Sequence, residues 1–250
     1  MGINELLGYV VVGSMAYPTE ASAKQYGYRD TLFFVGIVLA LIGLALSYFL
    51  LKDTHQHVQK EQEDRGHAIL ESVIKETTCK NPGLGSITQA GLVNNLNDGL
   101  VWDVLPVLLI QLEFNYKEIG KLVAVFPLVW GFFQVITCKL SDHLNKKYML
   151  VFGMLMHGVA LARHWKGESF NESFIYSVLR GLATAIVFPT FLSAISYYVS
   201  PGQWAASIGV FRLWPDLGYA FGTLLSGSIA DLFGVEFAVL SIALVTFYLL

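Results

Sequence analysis

Five ionisable side chains stand where hydropathy ought to have removed them: Asp98, Asp103, Arg180, Arg212 and Asp216 all fall inside long apolar runs. A charge at the centre of a membrane helix costs about 2.5 to 3.5 kcal/mol on insertion scales, so each is expected to face a bundle interior or a watery cavity. In such a place a carboxylate or guanidinium holds a solute, carries a coupling ion or pairs with an opposite charge. Arg212 and Asp216 are four positions apart, which puts them on one helix face where they can pair, with Pro215 loosening the turn between them. A structural pair that fixes helix register explains them as well as a functional one does. The stretch Asn94-Asn95-Leu96-Asn97-Asp98-Gly99 is the other anomaly, because Asn, Asp and Gly all favour turns over helix interiors. The expectation is a broken helix lining a cavity, with Asn94 and Asp98 on the lining face and Asp103 turned away by about 140 degrees.

Other chemistries find no support. There is no G-x-S-x-G, H-E-x-x-H or P-loop, so no enzyme class is indicated and no catalytic residue is nominated. His55, His57 and His67 read as solvated histidines, and His157 as a packed or cavity-lining residue rather than a proton relay. Cys79 and Cys138 lie far apart with no metal-ligand spacing, and nothing calls for a metal or a cofactor. The net charge of -3 leaves no basic surplus to neutralise phosphates, which sets a nucleic-acid partner aside.

The elements that must position these residues are transmembrane helices. With 54% hydrophobic and 14% charged residues, and a mean hydropathy of +0.55, the 250-residue chain is too apolar for a soluble domain. Thr31 to Leu51 is an uncharged run of 21 residues, enough for one span. Further apolar segments lie at Ser86 to Leu112, Leu122 to Cys138, Tyr148 to Ala162, Ser173 to Tyr198, Ala205 to Ala230 and Phe237 to Leu250. With an opening one near Leu6 to Ser22 the expectation is an all-α membrane protein of about eight segments, cut at both ends. Trp102, Trp130 and Trp214 read as belt or packing residues before cavity aromatics.

One connection is long and polar, Lys52 to Gly85, and reads as a linker between two bundles. Within it Ile69, Leu70, Val73 and Ile74 recur at helical spacing, as in a short amphipathic helix on the membrane surface or in a plain solvated one. Eight Lys and Arg on the linker side against six opposite favour a cytoplasmic linker. Leu7-Gly8-Tyr9 and Leu217-Gly218-Tyr219 open two apolar stretches alike, a trace of internal duplication.

The turn Cys138-Lys-Leu-Ser-Asp142-His-Leu-Asn145-Lys146-Lys147 resembles the signature loop of the major facilitator superfamily, of form G-x-L-x-D-R-x-G-R-R. Leu140, Asp142, Lys146 and Lys147 fit, whereas Cys138, His143 and Asn145 replace Gly, Arg and Gly. Asn145 is the mildest departure, since Asn tolerates a left-handed turn. Arg180-Gly-Leu-Ala-Thr-Ala, Phe188-Pro-Thr and Gly209-Val-Phe-Arg212-Leu-Trp-Pro-Asp216-Leu-Gly-Tyr-Ala-Phe-Gly222 look like the tenth and eleventh helices of the efflux-type permeases in that superfamily. The resemblance implies helices five to twelve of a twelve-helix fold with the first four missing. Residues 1–52 would then be the last two helices of the N-terminal half, 53–85 the cytoplasmic linker and 86–250 the six-helix C-terminal half.

What the resemblance implies for function is secondary active transport of a small solute by alternating access in the cell membrane, in the outward direction. Asp142, Lys146 and Lys147 would form a gating latch. Asn94, Asp98, Asp103, Arg180, Arg212 and Asp216 would be the substrate and coupling cavity. The buried carboxylates suggest protons as the coupling ion. The alternatives are a truncated, inactive transporter fragment, or a receptor or scaffold, which would not need five buried charges.

Overall fold

A computed structural model describes residues 6–12, 14–15, 27–50, 70–164, 169–200 and 203–248, and every regular element among them is helical. Residues 51–69, with His55, His57, His67 and most of the charged linker, lie outside the described residues, as do residues 13 and 16–22 of the expected opening segment. Residues 6–12 are helical. Helix α1 spans Tyr28–Leu50, and its side chains from Gly36 onward are all exposed, as an apolar helix bathed in lipid requires.

The polar connection ends in a short helix, α2, Leu70–Lys75, which continues as a π-helical turn over Glu76–Lys80. This piece is docked on the bundle: Val73 and Thr77 are buried, Thr88 donates to the Thr77 carbonyl, and the Trp214 indole donates to the Thr78 hydroxyl.

Six helices follow: α3 Pro82–Gln111, α4 Tyr116–His143, α5 Lys146–His164, α6 Phe170–Tyr198, α7 Trp204–Phe233 and α8 Val235–Tyr248. Their starts are set by local chemistry. The Asn81 side chain accepts from the Gly83 and Leu84 amides with Pro82 in the first turn, Asn115 and Glu118 form a reciprocal capping box, and the Ser169 hydroxyl accepts from Glu172. Gly234, at φ 95°, makes the tight corner between α7 and α8 that only glycine enters freely.

Phe33–Leu50 of α1, α4 and α6 are long and apolar enough to cross a membrane by length and composition. Helices α3 and α7 have 30 residues each, about 45 Å at 1.5 Å per residue, and fall short on apolarity alone. In α3 the dilution comes from Asn94 to Gly99. The expected break there does not occur: α3 runs through the stretch unbroken, because its polar side chains and Gly99 are taken up by neighbouring helices.

Small residues bring α3 and α7 together in parallel. A Cβ on Gly218 or Gly222 would collide with the Leu92 or Leu96 backbone, and one on Gly99 would strike the Tyr219 carbonyl. This is the close packing that membrane helices use where no hydrophobic force drives association. Helix α4 lies along α6, where Gly181 admits Phe126 and Val129, and α5 runs antiparallel to α6. Beside a small cluster of Phe126, Trp130 and Ala185 between α4 and α6, two larger apolar cores result. One joins the second half of α3 to α8 through Leu100, Leu108, Val239 and Ile242, and the other joins the start of α3 to α6 through Leu84, Val93, Phe191 and Ile195.

Candidate functional site

Between the two cores lies a polar layer. Its α3 face carries Asn94, Asn97 and Asp98, all buried. Its α6 face is the stripe Ser173, Ser177, Arg180 and Thr184, spaced by four, three and four residues so that one side of the helix presents them in line, and all are at most 1% exposed. Arg180 and Asp98 meet across the layer with an N–O separation of 3.6 Å. The guanidinium carbon also sits 4.4 Å from the Phe126 ring centroid, within cation–π range. Neither contact is a hydrogen bond, and none of the three guanidinium nitrogens has a hydrogen-bond partner among the described residues.

Two histidines extend the layer along α5. The antiparallel register is set by Thr190 against Met149, by Val187 against Gly153 and by His164, whose ring is 5.5 Å from that of Tyr176. This register brings fully buried His157 level with the Arg180–Thr184 turn. Neither ring nitrogen of His157 has a hydrogen-bond partner among the described residues, and the same holds for Ser173, Ser177 and Thr184. On the far side Asn97 accepts from the Thr246 hydroxyl of α8 at 2.7 Å. A void of about 10 Å³, room for one water, touches Arg180, Ser177 and Phe126. Buried polar groups left open in this number call for water or a polar solute as partner, so the layer is an incompletely hydrogen-bonded ion-pair site inside an apolar bundle.

The six residues nominated from sequence for the cavity separate into two groups. Asn94, Asp98 and Arg180 come together in the layer. Asp103, Arg212 and Asp216 are exposed on the described bundle, and Arg212 and Asp216 form no ion pair among the described residues. Helix α7 carries Arg212 and Asp216 on the side turned away from α3, because its glycine edge occupies the contact. Trp130 is buried in a ring stack with Tyr9, Phe126 and Phe188, while Trp102 is exposed at its rim and Trp214 ties down the linker end.

The signature-like loop closes α4 and opens α5. Asp142 is exposed in the last turn of α4, with Lys146 and Lys147 opening α5, and Asp142 has no ion-pair partner among the described residues. Asn145 does not adopt the left-handed conformation; its side chain instead accepts from the Lys147 amide and caps α5. Cys138, where the family pattern has Gly, is half-buried. Hydropathy and motif do not single out the α6 serine and threonine stripe, His164 or Gln134, and Asn97 stands out only as part of the Asn94 to Gly99 stretch. The four-three-four spacing of Ser173, Ser177, Arg180 and Thr184 was the available signal.

Comparison with known proteins is consistent with this architecture. Residues 87–250 match the family model of the Major Facilitator Superfamily. Quinolone resistance protein NorA of Staphylococcus aureus is 27% identical over 136 residues, which is 54% of this chain and 35% of the relative. An MFS-type transporter of Methanocaldococcus jannaschii, MJ1560, is 24% identical over 141 residues, 56% of this chain and 36% of the relative. The chain thus matches about a third of the length of these relatives. With the family model extending from the first turns of α3 through α8, over all the helices that build the polar layer, the chain belongs to the Major Facilitator Superfamily.

Proposed function

We propose that the chain acts in secondary active export of a small amphipathic solute across the cell membrane by alternating access. Helices α3 to α8 form one rocking half in this reading. Residues 1–52 belong to the opposite half, and the polar connection is the cytoplasmic linker. The observation that carries the proposal is the buried Arg180–Asp98 contact inside the helical bundle, with open polar groups around it. A merely structural pair would be expected to saturate its hydrogen bonds; this one leaves them for water, solute or a proton. Asp98 is the coupling carboxylate in this reading, Arg180 its counter-charge, and Asn94 the adjacent polar contact. Asp103, Arg212 and Asp216 line the surface that meets the other half, and Asp142, Lys146 and Lys147 latch the gate.

The quinolones in the name of the Staphylococcus aureus relative supply the probe. Inverted membrane vesicles bearing the full chain are expected to accumulate a fluorescent quinolone when an inward-acid pH gradient is imposed. A protonophore is expected to abolish uptake, and Asp98→Asn to reduce it at least tenfold. Uptake indifferent to the gradient would remove proton coupling. No uptake by a folded, membrane-inserted chain would favour a binding or scaffold role over transport.

A further inference from the structure

A second site lies at the end of the bundle that carries the signature-like loop, away from the Asp98–Arg180 layer. There α4, α6 and the start of α7 enclose an open cavity of about 320 Å³, at the small end of the range for ligand pockets. Its polar groups include donors, the Gln134 amide and the Trp204 indole, but the formal charge and the unpartnered buried oxygen are both acceptors. Gln134 is 1% exposed, faces the cavity, and its side-chain oxygen has no hydrogen-bond partner among the described residues. Ser141 donates its hydroxyl proton to the Cys138 carbonyl at 2.8 Å, and Ser196 donates to the Ser193 carbonyl at 2.7 Å. Both hydroxyl oxygens are therefore left as acceptors. Asp142 adds a carboxylate, and among the described residues no Lys or Arg lines the cavity. Trp204 and Phe188 supply aromatic surface.

A cavity whose formal charge among the described residues is one carboxylate, with unpartnered acceptors beside it and aromatic walls, is complementary to a donor that is positively charged and partly apolar. We propose that this cavity binds a small protonated amine bearing an apolar group, with Asp142 as its counter-charge and Gln134 as the acceptor at its floor. As the loading site for the exported solute it rests on the transport reading, but binding itself does not require transport. Because Asp142 sits in the loop, an amine docked on it competes with any latch partner, so loading and release of the gate become one event.

Purified full-length chain in detergent is expected to bind radiolabelled phenethylamine saturably at neutral pH. Asp142→Asn should weaken binding about tenfold or more, while Asp142→Glu stays within about threefold of the parent, the difference expected when a charge-assisted contact is lost or kept. Gln134→Leu should weaken it severalfold. Phenethyl alcohol and phenylacetate, which keep the apolar body without the cation, should not compete. Elution as a single species and an unchanged thermal midpoint establish that each variant is folded. Binding that survives Asp142→Asn in a folded protein, equal competition by the alcohol, or no saturable binding by the folded parent would each overturn the proposal. Intact amine binding with no quinolone uptake sinks the export reading alone, and intact uptake with no amine binding sinks only this site.

Discussion

Arg180 is held by a carboxylate 3.6 Å away and an aromatic face, with no hydrogen bond among the described residues, so its stability depends on charge more than on geometry. Asp98→Asn removes the counter-charge and leaves a buried guanidinium uncompensated. The expected cost is about 3 to 5 kcal/mol, read as a lower thermal midpoint in detergent. The double variant Asp98→Asn/Arg180→Gln should recover most of that loss; a double variant no more stable than the single one would show that the pair does not act as a unit. The insertion cost of a charge made both residues legible in the sequence. The same criterion also raised Asp103, Arg212 and Asp216, because hydropathy registers that a charge is present and not which way its helix turns. Asp98 and Asp103 are five positions apart on one helix, and only the packing partner decides which of them faces inward. Serine and threonine escape notice for the opposite reason: they are cheap within a helix, where the hydroxyl can bond the carbonyl four residues back, as Thr190 does to Ile186.

At the scale of the helices, the contact between α3 and α7 depends on what is missing from Gly218 and Gly222. Gly222→Leu is expected to force α7 off the Leu96 backbone and to destabilise the bundle by about 1 to 3 kcal/mol or more. Gly209→Ala, on the same helix with open space around it, should be neutral or slightly stabilising. Equal thermal midpoints for the two variants would show that the close approach does not matter. The six helices after the linker were readable from hydropathy because short polar turns separate their apolar runs, and Asn81, Asn115 and Ser169 in those turns cap the helices that follow. Continuity through Asn94 to Gly99 was not readable. Local preference argues for a turn there, and it is overridden by partners from distant parts of the chain: Thr246 for Asn97, Arg180 for Asp98, and the α7 backbone against Gly99.

For the whole molecule, Cys79 on the π-helical turn is exposed at the end of the bundle where α3 and α7 begin. With Cys138→Ser as background it is the sole cysteine, so it reports which side of the membrane that end occupies. A membrane-impermeant maleimide should label it severalfold faster in inverted vesicles than in intact cells; the reverse ratio would place the linker outside. The polar layer between two apolar cores also bears on how the protein is made. Arg180 on α6 and Asp98 on α3 are synthesised 82 residues apart. At roughly 5 to 20 residues per second that separation is about 4 to 16 s of synthesis. For that interval α3 stands in or beside the insertion channel with a carboxylate whose partner has not emerged. The later helix brings a cation that is itself unwelcome in lipid. Release of α3 into the bilayer is therefore expected to wait for α6, making this half of the bundle assemble as a cohort rather than helix by helix.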